Sequence, residues 1–551
     1  MLSHFSKTAA LAVVLLVPSP AWAQTSTPVA PAAPPPSRAP APANAAFSDQ
    51  LVLDTGRTPF SRPTSDMHAE VHGEYQVRYY RKSDLPLTPP PGAPDAASLG
   101  QKNAVLHWMR ITPRFYFTPK IYLAGQIDYP QGFIAGEETR FVGAASEPLN
   151  ERGAFRVDPR WLYLDAATDY GHWRVGQQGS HWGMGILAND GNHPSLFGDY
   201  RKGAIVERVL LAANPGGKAS LLTTAVAADL VFRDNQAELT NRDLAFQGVV
   251  MVVYGTDRNQ LGLYGVAREQ SRGAGSTVPS QPYTDRLSVR IADLHGRFTA
   301  RVPGAPGYVF GQAEAVVAAG TTRYAQNPGA GPPSQPSSVR AWGGAFTLGT
   351  VHEAMREGVR WGDLVLSAEW GYASGDNDPL DGVQRRLTFD PNHKVGLVMF
   401  DHALSWMSAR SAVNSDFALR GAYAPGLQFL PSNGGVSGAA YFYPTFVVRP
   451  RHWLDLKGAM LVAQTTADLL DPYRTATTGR RSNYLGGDPA RRDLGVEFDL
   501  GAEARVALDY GLTLQLGAQG GVLFPGRAFD DNTGNGLKTQ VVAVGRVGLQ
   551  Y

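Results

Sequence analysis

Ionisable side chains recur at every second residue along several stretches of this chain. In Leu494–Leu508, Glu497, Asp499, Glu503 and Arg505 share one parity. Leu494, Val496, Phe498, Leu500, Ala502, Ala504, Val506 and Leu508 share the other. Successive side chains of a strand point to opposite faces, so this pattern predicts a strand with one wet and one greasy face. A wet row of carboxylates and guanidiniums can line a water-filled path and select ions by fixed charge, or pair across strands and brace a wall. The residues expected on that face are Arg78, Arg110, Arg114, Asp128, Arg174, Arg290, Glu369, Lys457, Glu497, Asp499, Glu503, Arg505 and Arg546. With Arg286, Glu70, Glu74, Glu314 and Asp455, which are expected on the same face, acids and bases balance, which favours bracing and a weakly selective lumen over a strongly basic one.

Bond-making chemistry finds little support. No G-x-S-x-G elbow occurs, and Ser180 and His181 are adjacent, so a strand would point them apart. Asp376-Asn377-Asp378-Pro379-Leu380-Asp381-Gly382 looks like a calcium loop. It places Leu380 and Leu387 where an EF-hand needs oxygen ligands, and so reads as a polar turn. His181, His193 and His393 show no linear zinc spacing. The Gly-rich stretch 171–185 lacks the Lys-Ser/Thr of a phosphate loop. The expectation is no enzyme, no catalytic residue, no metal and no cofactor.

The elements that would carry the wet face are long. From Met67 onward, eight short turns, such as Thr118-Pro119-Lys120, Asp169-Tyr170-Gly171 and Asp509-Tyr510-Gly511, alternate with nine longer polar loops. Gly and Asn accept positive φ and Pro presets its own, so these are turn chemistries. Seventeen connections join eighteen strands and put both termini on the short-turn side, as in a bacterial transmembrane barrel. Val395–Ser408, inside the longest loop (374–436), would change the count if it were itself a strand. Strands of ten to fifteen residues exceed those of soluble sandwiches. Strand-end aromatics, among them Trp108, Phe115, Tyr116, Phe117, Trp173, Tyr441, Phe442, Tyr443 and Trp453, fit interfacial girdles. The last stretch, Thr539–Tyr551, alternates likewise and ends on an aromatic, with only Val542 and Val544 breaking its wet face.

The N-terminus supplies an address. Lys7, the apolar run 9–17 and Ala21-Trp22-Ala23 form a secretory signal peptide, expected to be cleaved after residue 23. Between Pro28 and Ala46, fifteen of nineteen residues are Pro or Ala, so residues 24–66 read as an extended periplasmic tether. That tether spaces the N-terminus from the barrel, residues 67–551, and a periplasmic partner could dock on it. With no cysteine, the exported fold is not stapled by disulfides. A net charge of +2 argues against a nucleic-acid partner. The fold class is therefore all-β: one antiparallel transmembrane barrel in contact with outer-membrane lipid and lipopolysaccharide.

The second half resembles the alginate-export family of Gram-negative outer-membrane barrels. The resemblance lies in Gly371-Tyr372-Ala373-Ser374-Gly375-Asp376, Asp381-Gly382, Thr388-Phe389 and Leu430-Pro431-Ser432-Asn433-Gly434-Gly435. Leu494-Gly495-Val496-Glu497-Phe498-Asp499, Pro525-Gly526-Arg527-Ala528-Phe529 and, earlier, Trp173-Arg174-Val175-Gly176-Gln177-Gln178 add to it. It implies a monomeric barrel of about eighteen strands that passes a hydrophilic solute, with an anionic polysaccharide such as alginate as the implied cargo. Two functions are open on this reading. One is a passive porin or exporter; the other is a barrel plugged by loop 374–436 that serves as scaffold or receptor for a partner protein.

Overall fold

The computed structural model describes residues 67–89, 97–136, 155–199, 202–217, 220–271, 286–304, 306–323, 336–356, 359–378, 381–414 and 431–551. The signal peptide and tether lie outside them. Eighteen strands form the wall. The first nine are β1 (His68–Lys82), β2 (Lys102–Thr118), β3 (Ile121–Gly136), β4 (Arg156–Thr168), β5 (Gly171–Gly179), β6 (Ile205–Ala213), β7 (Leu222–Arg233), β8 (Leu244–Gly255) and β9 (Gln260–Ser271). The rest are β10 (Arg286–Arg301), β11 (Gly307–Thr322), β12 (Ser337–Arg356), β13 (Val359–Ala373), β14 (Ala439–Arg451), β15 (Leu454–Thr465), β16 (Asp493–Ala507), β17 (Thr513–Pro525) and β18 (Gln540–Gln550). Each pairs antiparallel with its neighbours in sequence, and β18 closes on β1 with Glu74 opposite Gln550 and Lys82 opposite Val542. Closure leaves no edge, so every strand pairs on both sides without help from water.

The alternation read from the sequence sets which residues face lipid. Leu162, Val226, Val250, Leu261, Val317, Leu366, Phe498, Leu500, Val541 and Val547 stand exposed on the outer wall, Leu500 at 65%. Inward neighbours such as Asp165, Asp229, Glu314, Glu497 and Asp499 are buried. Phe115, Phe117, Trp173 and Trp453 face out, as a girdle requires. Trp108, Tyr116, Tyr441 and Tyr443 do not: they point inward and are buried against the lumen contents. Leu494 is also inside, because the register shifts beside Gly495, whose φ is +99°, and turns the start of β16 inward.

The described residues of two long loops fold into the barrel instead of away from it. Residues 180–204 join β5 to β6, and residues 374–438 join β13 to β14. Val395–Ser408 is no strand, so the count of eighteen stands. Its chain runs into a π-helical turn, Met399–Leu404, followed by an α-helix, Ser405–Asn414. Val395, Leu397, Val398, Met399, Phe400, Ala403, Trp406 and Met407 are at most 2% exposed. They pack with Leu461, Leu523, Val542 and Val544 of the wall in one apolar cluster. The two valines that interrupt the wet face of β18 thus belong to the apolar filling of the lumen.

Candidate functional site

The lumen is built from two kinds of wall. On β2 to β7, arginines sit directly opposite aspartates in the strand register: Arg110 with Asp128, Arg174 with Asp165, and Arg208 with Asp229. A directly opposed pair brings the side chains within reach, so each guanidinium binds its carboxylate. Arg110 donates through Nε and Nη2 to both oxygens of Asp128, at 2.7 and 2.8 Å. Arg208 does the same to Asp229, at 2.6 and 2.7 Å. Arg174 Nε lies 2.9 Å from Asp165, and Arg233 reaches Asp158 at 2.7 Å. Arg114 lies 5.4 Å over the Tyr122 ring, and Arg174 covers Tyr163. The two bidentate, buried pairs, with the single bonds of Arg174 and Arg233, consume donors that a passing anion would need.

On β10 to β16, Asp293, Glu314 and Glu497 face uncharged residues across the sheet and accept hydrogen bonds from the loops. Glu497 has Leu461 and Leu523 opposite it. Its carboxylate accepts the backbone N–H groups of Leu397, Val398 and Met399, the last two at 2.7 and 2.6 Å. Gly396, at φ +71°, lets the backbone come this close, since a Cβ there would lie 2.8 Å from Glu497 Oε1. Gly183 plays the same part on the other loop, where Glu314 accepts the Met184 N–H. Trp182 Nε1 donates to Asp293 at 3.1 Å. Glu369 accepts from Tyr441 Oη at 2.6 Å and Thr347 Oγ1 at 2.9 Å, and His393 Nε2 lies 3.0 Å away. Burial works against a charged His393, but the Glu369 carboxylate outweighs it and holds the imidazole above its usual pKa.

The remaining expected residues divide accordingly. Lys457 donates to the Leu196 carbonyl at 2.6 Å, and Arg546 and Arg78 both reach Asp199, so loop 180–204 is pinned to β1, β15 and β18. Asp499 is buried on the same face as Glu497. Glu503 binds Arg505 at 2.7 Å, and Arg505 also reaches Asp455 at 3.1 Å; this cluster repeats the wall-bracing pattern at the short-turn end. Arg290 is misplaced by the sequence reading. It shares the parity of Leu294 and Phe298, faces outward, and pairs with Glu269 with both side chains 60% exposed. Its run, Arg286-Leu287-Ser288-Val289-Arg290, alternates correctly but offers no way to decide which parity is inside.

The loops also touch each other. Asp390 N–H donates to the Ile186 carbonyl at 2.8 Å, Lys394 N–H to Ser195 Oγ at 3.0 Å, and His393 Nδ1 lies 3.1 Å from the Met184 carbonyl. Burial pushes the Asp390 carboxyl up to about 7. Sequence reasoning missed Arg160, Arg208, Asp229 and Arg233, all lumenal. It also missed that His181 and His193, twelve residues apart, come together in loop 180–204 with ring centroids 4.3 Å apart. Only the fold of the loop carries that proximity.

No protein-family profile matches the chain, and no curated protein matches it, so the expected alginate-export kinship is not supported. Among solved structures, it is similar to OccK2 (OpdF) of Pseudomonas aeruginosa, with 9% identity, a TM-score of 0.43 and coverage of 88% of this chain and 97% of that one. It is also similar to OccK9 (OpdG) of the same organism, with 10% identity, a TM-score of 0.45 and coverage of 88% and 98%. The outer-membrane channel DcaP of Acinetobacter baumannii matches with 10% identity, a TM-score of 0.36 and coverage of 89% and 99%. Identities this low speak at most to the fold. A closed antiparallel barrel with an apolar outer belt is itself the strand-built solution to a bilayer, and its place is the Gram-negative outer membrane.

Proposed function

We propose that the protein is an outer-membrane channel that passes a small hydrophilic solute passively, past a constriction made by loops 180–204 and 374–438. The observation that carries this reading is the docking of both loops, backbone first, onto the lumenal carboxylates Glu314 and Glu497. A lumen narrowed in this way suits a small solute better than a polymer. Its arginines are largely answered by aspartates, so size weighs more than charge in what passes. The second reading, a plugged scaffold or receptor, is favoured by the apolar packing of Val395–Met407 against the wall.

Liposome swelling with graded neutral sugars, monomeric uronates and polyuronate separates the readings. Uptake of the small solutes with exclusion of the polymer supports the channel. Uptake of polyuronate restores the polysaccharide conduit, and no swelling with any solute supports the plug.

A further inference from the structure

Loop 180–204 carries a constellation that neither bracing nor loop docking uses. His181 lies two residues past the end of β5, and Asp190 and His193 follow later in the loop. His193 Nδ1 is 3.2 Å from Asp190 Oδ1, and His181 Nδ1 is 3.9 Å from the same oxygen. One ligand atom from each residue falls within 4.8 Å of the others. Zinc bonds of ~2.0–2.1 Å in a tetrahedron set ligand atoms about 3.3–3.4 Å apart, so small side-chain rotations complete the arrangement.

The second observation is His181 itself. Its side chain is 8% exposed, yet among the described residues neither ring nitrogen has a hydrogen-bond partner. A buried imidazole without a partner forfeits its hydration for nothing, and buried polar groups are normally satisfied. Both ring nitrogens of His295, packed nearby beside Trp182, also lack a hydrogen-bond partner among the described residues. Asp190 is held for ligation. Its Oδ1 accepts the Asn192 N–H and its Oδ2 the Asn192 side-chain amide, each at 3.0 Å, fixing the carboxylate. Such outer partners orient a metal ligand. His193 is 26% exposed at its side chain, so the cluster opens on one side.

We infer that His181, Asp190 and His193 form a binding site for a divalent transition metal of the zinc class. Two imidazoles and one carboxylate are the donor set that borderline cations such as Zn²⁺ take, and alkaline-earth cations are poorly served by it. Three protein ligands leave one tetrahedral position for water or for a donor atom on a solute. Arg160, which donates to the Asp190 carbonyl, adds an opposing positive charge and keeps the affinity moderate.

The test uses the full-length protein refolded in detergent and dialysed against Zn²⁺ or Mg²⁺, with bound metal counted per chain. It does not rest on the channel reading, because binding is counted whether or not the barrel conducts. The expected result is one Zn²⁺ per chain, no Mg²⁺, and loss of the zinc in both His181→Ala and His193→Gln. A heat-modifiable gel band reports that each variant is folded; if His181→Ala is not, His193→Gln decides alone. Co²⁺ in place of Zn²⁺ should give the intense visible bands of a four-coordinate site, absent in His193→Gln. Wild-type protein that holds no more zinc than folded His193→Gln overturns the inference.

Discussion

The two halves of the lumenal wall solve one problem differently. On β2 to β7, Arg110, Arg174 and Arg208 are each answered by an aspartate directly opposite on the neighbouring strand. On β10 to β16, Asp293, Glu314 and Glu497 are answered by loops that enter from the long-loop side, and Glu369 shares His393 of the loop with Tyr441 and Thr347 of the wall. The main ion pairs of the first half need only neighbouring strands. The second half draws its partners from loops 180–204 and 374–438, so changes there should act on loop docking before they act on the wall.

Breaking a pair in the first half should have the largest effect. Arg208→Ala strands the buried Asp229, which among the described residues keeps the Gln247 amide at 2.8 Å, and removing one partner of a buried pair costs about 3–5 kcal/mol. Denaturant unfolding of the whole barrel should register that loss, and the double variant Arg208→Met with Asp229→Leu should recover most of it. An unchanged midpoint for Arg208→Ala would remove the distinction between the halves.

Glu497→Gln should cost less and act elsewhere. The neutral amide weakens three charge-assisted acceptances, worth on the order of 2 kcal/mol together. The barrel band should persist on a gel while protease gains access to residues 389–414. Loss of the barrel band instead would show that the loop is needed to close the wall.

Acid should loosen the same loop through His402. Burial, and after it the charge of Lys82, depress its pKa from 6.5 to about 3. The displaced loop therefore binds a proton that the docked loop refuses. This contribution to docking is full above about 6.5 and is lost as pH falls toward about 3. Protease access to the loop should rise across that window in the wild type and rise less in His402→Leu; equal curves would refute it. The smallest effect belongs to Arg290→Ala on the outer wall, below about 0.5 kcal/mol because the pair is exposed. A larger loss of barrel stability would place Arg290 in the lumen after all.

Much of the barrel was legible because lipid outside and polar atoms inside impose period two on strands such as β16. The turns declared themselves through Gly, Asn and Pro, which fixed the count. The interior was legible only as a parity. Arg290 shows the limit: Ser288, Arg290 and Ala292 face outward while Leu287 and Val289 face inward, inverting the usual polarity near the loop end of β10. Trp108, Tyr441 and Tyr443 were misread for the same reason, since an aromatic suits a lipid girdle or a lumen filled by loops equally well. Val542 and Val544 were the clue to that filling, and the apolar run Val395–Phe400 was its other half. The meeting of His181, Asp190 and His193 depends on loop conformation, which no periodicity encodes.

The central claim is a conducting barrel narrowed by docked loops. Single-channel conductance tests it most directly, recorded in one planar bilayer system for the wild type and for a variant with residues 389–436 replaced by a short Gly/Ser linker. The account predicts a small, steady wild-type conductance that rises severalfold in the trimmed barrel. A wild type that is silent although folded, opening only when trimmed, would contradict the channel and establish the plug.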